Sequence, residues 1–328
     1  MKKSIIFFIC LDISVLISCG PQRTKEQNGL FPVVQNGKCG YIDRTGKMVI
    51  TPQFDDAGTF TEELAPVEIN DRWGYIDRTG EMVIQPQFDK AWSFSEGLAH
   101  VEIENKFGYI DKLGRVVIKP QFDGVLPFTE ELARVEIGEK FIFIDKKGGI
   151  VIDNPEISYA WPFIEGLAKV EIGGKWGFID EKGGIAIKPQ YEGVMPFSEG
   201  LALVRVEGKD GYIDKKGRFV IEPQFDEAGQ FFEGLAPIII GGKGGYIDKT
   251  GTIVIKPQFD YVLPFSEGLA LIKIGEKWGY VDKTGKTMIK PVFDEAKDFH
   301  KELAEVKIDN LWGYIDKTGK YVWNPAEK

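Results

Sequence analysis

Apolar and polar residues alternate along short stretches of this chain, and the stretches recur in a fixed order. Residues 64–69 alternate over their last positions, as a half-buried strand does. The aromatic and β-branched stretch 73–77 predicts a second strand. Residues 82–84 predict a third strand that ends before Pro86, because proline cannot donate to a strand ladder. The close spacing of these stretches predicts a three-stranded antiparallel meander.

Tight turns join the predicted strands. Residues 70–72 separate the first strand from the second, and Asp77-Arg78-Thr79-Gly80 separates the second from the third. Aspartate at the first position of such a turn can accept hydrogen bonds from the turn backbone, and glycine at the fourth supplies a positive φ. The residues that follow form a connector to the next meander, with Phe88 and Phe94 as apolar anchors.

This unit of about 34 residues is written nine times. The marker of each unit is a phrase such as Trp73-Gly74-Tyr75-Ile76-Asp77. The marker glycine recurs at Gly40, Gly74, Gly108, Gly177, Gly211, Gly245, Gly279 and Gly313, and Ile142 takes its place in the fourth unit. A period of this length indicates a repeat architecture, because so small a unit buries its apolar face only against its neighbours.

The two ends of the repeat region favour an open array. The first unit opens at Gly29-Leu30-Phe31-Pro32-Val33 and the last closes at residues 320–325, so each end carries a whole meander. A closed propeller often divides one unit between its ends, and propellers usually have four to eight four-stranded blades. The predicted fold class is all-β: nine three-stranded antiparallel meanders in an open or superhelical solenoid, with a closed propeller-like ring as the alternative.

The repeated segments resemble the WG-repeat family, also called KWG repeats. The segments that carry the resemblance are residues 277–286 (Lys-Trp-Gly-Tyr-Val-Asp-Lys-Thr-Gly-Lys), Pro257-Gln258-Phe259-Asp260 and Phe265-Ser266-Glu267-Gly268-Leu269-Ala270. The resemblance covers about residues 29–328. It implies a non-enzymatic β repeat domain, and it brings no functional residue with it.

The units depart from the family phrase at two kinds of place. The tryptophan before the glycine occurs as Trp73, Trp176, Trp278 and Trp312, whereas other units have Cys39, Phe107, Phe141, Asp210 and Gly244. A position that accepts aspartate and glycine is not expected to lie deep in the core of every unit. The fourth unit has Ile142, one extra residue and an altered stretch at 153–157. A bend, a bulge or a local binding feature would each explain it.

The amino-terminal residues predict a lipoprotein signal peptide over 1–18. A basic start is followed by a largely apolar stretch, which is too short to span a membrane. Leu16-Ile17-Ser18-Cys19 resembles the bacterial lipobox, in which signal peptidase II cuts before the cysteine and that cysteine carries the lipid, typically including palmitate. Asp12 is unfavourable for insertion, and a secreted protein cut nearby is the alternative.

The predicted domains are therefore the signal peptide 1–18, a polar tether over 19–28 and the repeat domain over 29–328. Cys19 is the predicted lipidation site. Gly20 follows it, which resembles the outer-membrane-directed form of some bacterial lipoproteins. We expect a lipid-anchored protein of the cell envelope, at the outer membrane or the cell surface.

Charge limits the partners. The formal net charge of −9 becomes −10 when residues 1–18 are removed, because Lys2 and Lys3 outnumber Asp12. A protein with this balance and no basic cluster is not expected to bind nucleic acid or to be attracted to an anionic membrane surface, so the lipid is the expected membrane contact. Cys39 would be the one cysteine of the mature chain and is expected to be a small apolar substitute.

Candidate chemistry is sparse. No cysteine and histidine cluster has metal-ligand spacing, no nucleophile elbow or phosphate-binding loop occurs, and His100 and His300 are expected to be solvated. We predict no catalytic residue, no metal and no cofactor. Acidic residues recur in the turns at Asp43, Asp77, Asp111, Asp145, Asp180, Asp214, Asp248, Asp282 and Asp316, and in the connectors at Glu62, Glu96, Glu130, Glu165, Glu199, Glu233 and Glu267. Their recurrence favours a structural role over a glycosidase-like acid pair or a calcium site.

Aromatic residues are the remaining candidates. Core packing is their default role, and exposed platforms for stacking on a glycan or a protein are the alternative. The candidate surface-binding aromatics are Trp73, Trp92, Trp161, Trp176, Trp278 and Trp312. The leading functional hypothesis is a non-enzymatic binding scaffold whose partner is another protein. The alternatives are a peptidoglycan- or polysaccharide-binding module and an envelope glycan hydrolase.

Overall fold

The computed structural model describes residues 29–324, which contain 35 β-strands in nine antiparallel sheets. The predicted signal peptide, Cys19 and the tether lie outside the described residues, so the domain boundaries stay predictions. Within 29–324 there is no helix with the length and hydrophobicity needed to span a bilayer.

In chain order the strands are β1 (Leu30–Gln35), β2 (Lys38–Asp43), β3 (Met48–Phe54), β4 (Asp56–Ala57), β5 (Ala65–Ile69), β6 (Arg72–Ile76), β7 (Met82–Phe88), β8 (Lys90–Ala91), β9 (Leu98–Ile103), β10 (Lys106–Asp111), β11 (Val116–Phe122), β12 (Gly124–Val125), β13 (Leu132–Ile137), β14 (Lys140–Asp145), β15 (Ile150–Ile152), β16 (Ile157–Ala160), β17 (Leu167–Ile172), β18 (Lys175–Asp180), β19 (Ile185–Tyr191), β20 (Gly193–Val194), β21 (Leu201–Val206), β22 (Lys209–Asp214), β23 (Phe219–Phe225), β24 (Glu227–Ala228), β25 (Leu235–Ile240), β26 (Lys243–Asp248), β27 (Ile253–Phe259), β28 (Tyr261–Ser266), β29 (Leu269–Ile274), β30 (Lys277–Asp282), β31 (Thr287–Phe293), β32 (Glu295–Ala296), β33 (Leu303–Ile308), β34 (Leu311–Asp316) and β35 (Tyr321–Trp323).

Each sheet contains the predicted meander, but most sheets have one strand more than predicted. The first sheet has the order β1-β2-β3, and the second has the order β4-β5-β6-β7. Its extra strand is short and comes from the connector, where Asp56 pairs with Glu68 and Ala57 with Val67. The later sheets repeat this pattern. The connector therefore joins the sheet that follows it.

The marker glycine is required because the third strand arches over it. In the fifth sheet Trp176 pairs with Tyr191 and Phe178 with Ile187, so the third strand bulges between these two pairs. A Cβ atom on Gly177 would lie 2.5 Å from the carbonyl oxygen of Ile187 and 2.6 Å from the nitrogen of Pro189. No side chain fits in that space.

The fourth sheet tolerates Ile142 because its third strand is cut short. β15 has three residues, and its last pair with β14 joins Phe143 to Ile152. The chain thus leaves the sheet before it would cross residue 142, and the extra residue lies in the segment that follows. The Ile142 side chain is buried with Val135 and Ile144. The shortened strand leaves room for the side chain, so it compensates for the replacement of glycine by isoleucine.

The nine sheets close into a β-propeller, so the prediction of an open solenoid is wrong. We number the sheets as blades 1 to 9 in chain order. The Tyr314 hydroxyl of blade 9 donates to the carbonyl oxygen of Pro32 in blade 1 at 2.9 Å, and the Tyr314 and Phe31 rings lie 5.5 Å apart. Closure uses packing between two whole sheets and not a sheet shared by the ends. For this reason an undivided repeat did not exclude a ring.

Phe31 takes the place of a missing connector at this closure. In the other joints the aromatic residue after the marker position packs on a connector phenylalanine of the next blade, with ring centroids 4.8–5.0 Å apart. The place of Phe31 is held by alanine in every later unit, from Ala65 to Ala304. The larger side chain fills the space beside Tyr314 that a connector phenylalanine fills elsewhere.

We expect Gly177→Ala to destabilise the protein by about 1–3 kcal/mol, because the added methyl overpacks the arch of the third strand. Gly193→Ala is the matched control, since a Cβ there meets no atom closer than 4.0 Å, and it should change stability by less than about 0.5 kcal/mol. Urea unfolding followed by tryptophan fluorescence measures both. Equal midpoints for the two variants would contradict the role assigned to the marker glycine.

We expect Phe31→Ala to cost about 3 kcal/mol, because a buried aromatic ring at the closure is lost and nothing replaces it. Hydrogen exchange should show that the loss of protection is confined to blades 1 and 9. Val34→Ala, at a side chain that is 60% exposed, is the control. A Phe31→Ala protein that keeps the protection pattern of the control would show that Phe31 does not hold the ring closed.

Candidate binding face

The repeated turn aspartates are used by the turns themselves, as predicted. The Asp77 carboxylate accepts hydrogen bonds from the Thr79 backbone at 2.9 Å, the Thr79 hydroxyl at 2.7 Å and the Glu81 backbone at 3.1 Å. The hydrogen bond from the Thr79 side chain is the main cause of the lowered pKa of Asp77. All three bonds go to Oδ1 and hold the aspartate in its turn.

The repeated connector glutamates link neighbouring blades. Glu199 of blade 6 accepts a hydrogen bond from the Gly234 backbone of blade 7 at 3.0 Å, and its carboxylate lies 3.0 Å from Lys249 Nζ. Glu199 has a φ of +53°, an unfavourable conformation for a residue other than glycine. The same ion pair joins Glu62 to Lys112, Glu96 to Lys146, Glu165 to Lys215, Glu233 to Lys283 and Glu267 to Lys317.

These turns lie in the inner part of the ring. Ser95 Oγ donates to the Phe128 carbonyl oxygen in the next blade at 2.8 Å, and the Glu130 backbone donates to Glu96 at 2.7 Å. In a ring, the distance between equivalent points grows with distance from the axis, so segments that bond their own counterparts are close to the axis. The inner glutamates are near-equivalent to one another, and none of them forms a distinct acid pair with its counterpart.

Two further polar links join the blades. The tyrosine after the marker glycine donates to the next connector, as Tyr246 does to the Leu263 carbonyl oxygen at 2.7 Å. The aspartate that ends the Pro-Gln-Phe-Asp stretch joins the lysine of its own blade to the backbone of the next. Asp260 accepts from Lys243 Nζ at 2.6 Å and from the Gly275 backbone at 2.7 Å. The repeated polar residues are thereby explained by folding.

The joint between blades 4 and 5 departs from this pattern at three positions. Phe143 replaces the tyrosine and has no hydroxyl to donate. Glu181 stands where the other units have lysine or arginine, opposite Glu130. Ser158 stands in the place of the aspartate and instead donates to the Glu171 carbonyl oxygen at 3.1 Å. This joint therefore has different chemistry from the others.

Residues that vary between units share one side of each sheet. In blade 5, Lys169 pairs with Phe178 and Glu171 with Trp176, so residues two apart on β17 lie on the same side as the tryptophan. We call this side the variable face. It consists of the residues at the tryptophan place and those eight positions before the marker residue, which are Pro32, Pro66, His100, Arg134, Lys169, Leu203, Pro237, Leu271 and Glu305.

The six candidate tryptophans lie on or beside the variable face and are all half-buried. They do not form a continuous ladder, because other side chains cover several of them. Trp92 stacks on His100 with centroids 4.6 Å apart, and Trp312 lies under Lys297 and Lys307, each 5.4 Å from its ring. Lys273 lies 5.8 Å from the Trp278 ring. The structure brings together two of the six, Trp161 and Trp176.

Trp161 and Trp176 enclose a lysine that the sequence reasoning missed. Lys169 Nζ lies 4.9 Å from the Trp161 ring and 5.1 Å from the Trp176 ring, which are cation–π distances. Burial lowers the pKa of Lys169 to about 8. Tyr159 stacks on Trp161 at 6.4 Å and meets the edge of Trp176 at 5.8 Å. The available signal was a lysine at a place where five of the nine units have proline or leucine.

Arg134 extends this cluster into blade 4. Its side chain is buried, and its guanidinium lies 4.8 Å from the Phe141 ring and 5.8 Å from the Tyr159 ring. Arg134 Nη1 lies 2.8 Å from Glu136 Oε1. The cluster of Arg134, Phe141, Tyr159, Trp161, Lys169 and Trp176 spans the irregular joint, and we call it the 4–5 cluster.

The expectation that His100 is solvated is wrong. His100 is 7% exposed, and burial lowers the pKa of its imidazole to about 3. The tryptophan place is not deep core in every unit, as expected, since Trp73 and Trp176 are half-buried. Asp210, at the tryptophan place, is buried with 3% exposure. It is accommodated there because Arg205 donates to both of its carboxylate oxygens, at 2.8 Å and 3.0 Å. The nearby arginine compensates for the aspartate in blade 6.

Cys39 is buried, as expected for a small apolar substitute, and burial raises the pKa of its thiol. Over residues 29–324, no group of three or more histidine, cysteine, aspartate or glutamate side chains is placed to hold a metal ion.

Comparison with solved structures supports the fold. A crystal structure of a eukaryotic initiation factor is 13% identical, covers 90% of this chain and 95% of its own, and has a TM-score of 0.65. The crystal structure of BamB from Moraxella catarrhalis is 11% identical over 79% of this chain and 89% of its own, with a TM-score of 0.45. No curated relative matches the chain.

The sequence matches the family described as WG containing repeat along most of its length. The matched segments are residues 40–73, 73–107, 107–141, 143–176, 176–209, 211–243, 245–278 and 278–312. They follow the marker glycine or the residue next to it from one blade to the next. The chain therefore belongs to the WG-containing-repeat family, with its nine units closed into a β-propeller.

Proposed function

We propose that this protein is a non-enzymatic, lipid-anchored scaffold of the cell envelope that binds another protein through the variable face. The observation that carries the proposal is that repeated and variable residues have different roles within each unit. Repeated polar residues are occupied by turns and joints, whereas the variable face has different chemistry in each blade. The deeper part of this face is buried between blades, where Leu203 and Leu271 join the core. Its half-buried part includes Lys169, Trp278 and Glu305. Exposed chemistry that does not repeat suits a partner whose chemistry does not repeat, and a folded protein is such a partner.

The same observation ranks polysaccharide binding second. A regular glycan presents the same sugar units along its length, so a ring built to bind it by stacking would repeat its aromatic platforms. Here Cys39, Asp210 and Gly244 interrupt the tryptophan place. The aromatic residues that remain still support binding of a short glycan segment, which keeps this alternative open to the same experiment.

The non-enzymatic part of the proposal rests on the carboxylates. Catalysis of glycan hydrolysis uses one distinct pair, with an acid and a second carboxylate in different environments. The recurring acids here occupy near-equivalent sites and accept hydrogen bonds from the backbone. Asp298 differs, since burial raises its pKa to about 6, but within residues 29–324 it is not paired with a second carboxylate.

A photo-crosslinking residue in place of Trp278 should capture a defined envelope protein in intact cells, because this position lies on the variable face. The control is the same residue in place of Val292, which is 47% exposed on β31 and lies away from that face. The captured protein should then bind the purified propeller in solution. Retention by purified cell wall, without capture of a protein, would favour the polysaccharide alternative and overturn the proposal.

The lipid anchor predicts that labelling with an alkyne fatty acid is lost in Cys19→Ser and kept in Cys39→Ser. The labelled protein should sediment with membranes and the Cys19→Ser protein should not, since an acyl chain provides the expected membrane contact. Membrane association that survives Cys19→Ser would show that the anchor lies elsewhere.

A further inference from the structure

We propose that the 4–5 cluster is a binding site for a carboxylate group, presented by an acidic side chain or the carboxyl terminus of a partner protein. The choice of a protein as the source of the carboxylate rests on the proposed function. The site itself rests on the chemistry of the joint between blades 4 and 5.

The first observation is a buried arginine with unused donors. Arg134 is 6% exposed, and its Nε and Nη1 atoms have no hydrogen-bond partner among the described residues. Glu136 lies close to Nη1 without completing a hydrogen bond to it. A buried donor without a hydrogen-bond partner is unfavourable, and a charged donor is more unfavourable than a neutral one. An incoming carboxylate would accept a charge-assisted hydrogen bond from one of these N–H groups.

The second observation is the neighbouring tryptophan and lysine. Trp161 Nε1 is buried and also has no hydrogen-bond partner among residues 29–324. Lys169 is held between Trp161 and Trp176, and no ion pair or hydrogen bond of its ammonium group is found in the described structure. Tyr159 contacts Arg134, Trp161 and Trp176, so it connects the groups into one cluster. The cluster offers two cations and an indole N–H group within a mostly aromatic wall.

The acidic groups nearby leave room for an anion. Glu136 balances part of the Arg134 charge, and its side chain is 33% exposed. Glu171 shares the side of β17 that carries Lys169, but its carboxylate is 3.2 Å from Ser158 Oγ and makes no ion pair with Lys169 in the described structure. Lys169 differs from the arginines and other lysines of the variable face, which, like Arg134, have a carboxylate partner. Arg205 is paired with Asp210, and Lys273 with Glu276 at 3.4 Å.

The depth of Arg134 favours a carboxylate on a slender stem. Half-buried Phe141 and Tyr159 lie next to the buried guanidinium, and half-buried Trp161 and Trp176 lie beside Tyr159. A glutamate side chain or a chain terminus can pass between such side chains, whereas the carboxylate of a uronic acid brings its sugar ring with it. The observations therefore favour a peptide carboxylate over an acidic glycan.

The test follows the indole N–H resonance of Trp161 by NMR in protein labelled with ¹⁵N-tryptophan, with Trp161→Phe used for assignment. N-acetyl-L-glutamate is the probe, N-acetyl-L-glutamine is its neutral counterpart, and glucuronate is the sugar acid. We expect a saturable shift with the glutamate derivative, at least about tenfold weaker binding of glucuronate, and no shift with the neutral compound.

Arg134→Leu and Lys169→Leu should each weaken the probe at least about tenfold, because each removes a charge-assisted contact. Leucine already occupies this place in blades 6 and 8, as Leu203 and Leu271, so both variants are expected to fold, and circular dichroism and the unfolding midpoint check this. Lys273→Leu is the matched control and should bind the probe as the unchanged protein does. Its cation also lies near a tryptophan but has a carboxylate partner.

The following results with the probe would overturn the inference. An equal shift with the neutral compound would show that charge is not recognised, and tighter binding of glucuronate would assign the site to a glycan. A shift that survives both leucine variants, or no shift up to the solubility limit of the probe, would place no carboxylate at this joint. A protein captured at Trp278 in the absence of probe binding would leave the proposed function standing and remove the carboxylate site alone. Probe binding without any captured protein would support the carboxylate site and contradict the proposed function.

Discussion

Every part of this structure depends on one constraint: a single repeat cannot bury its own apolar face. A unit of about 34 residues has too little interior to fold alone, so each sheet uses the next one as its core. An open array would leave one such face uncovered at each end. Closure covers both of these faces at once. Tyr314 of blade 9 contacts Phe31 and Pro32 of blade 1 where the ring closes. The polar links between blades then keep neighbouring sheets in register.

The sequence was sufficient to predict what is local. Strands, turns and the use of the turn aspartates follow from residues within a few positions of one another. The turns and the turn aspartates were predicted, as was the three-stranded meander. The predicted end of the third strand before Pro86 is wrong, since β7 continues to Phe88, and the short connector strand was not predicted. Closure was not predicted either, because it depends on a contact between residues 282 positions apart. Its signal was nevertheless present, since Phe31 stands where every later unit has alanine. A departure from the repeat in a terminal unit can therefore indicate what that unit packs against.

Departures from the repeat that are compensated elsewhere in the structure were harder to predict than single departures. Asp210 and Gly244 indicated that the tryptophan place is not deep core in every unit, but Asp210 itself is buried as an ion pair with Arg205. Ile142 taken alone indicated irregularity, but with the shortened β15 it is a compensated exchange of a glycine for a side chain. His100 is buried because Trp92 covers it. The partners in these cases come from other strands, and their proximity is set by sheet pairing and not by the repeat period. The 4–5 cluster escaped prediction for the same reason.

The blade 4–5 joint also explains where a repeat protein can acquire a specific site. Wherever the tyrosine, glutamate and aspartate links recur, each blade is fixed to the next, and a substitution would remove a bond that folding uses. At blades 4 and 5 Phe143, Glu181 and Ser158 replace residues that form three of those links, although Glu130 still accepts a hydrogen bond from the Gly166 backbone at 2.8 Å. Apolar packing and the aromatic residues around Tyr159 contribute to this joint, and the faces of aromatic rings accept cations. The joint that contributes least to the regular pattern of links is therefore the one at which side chains could be selected for recognition.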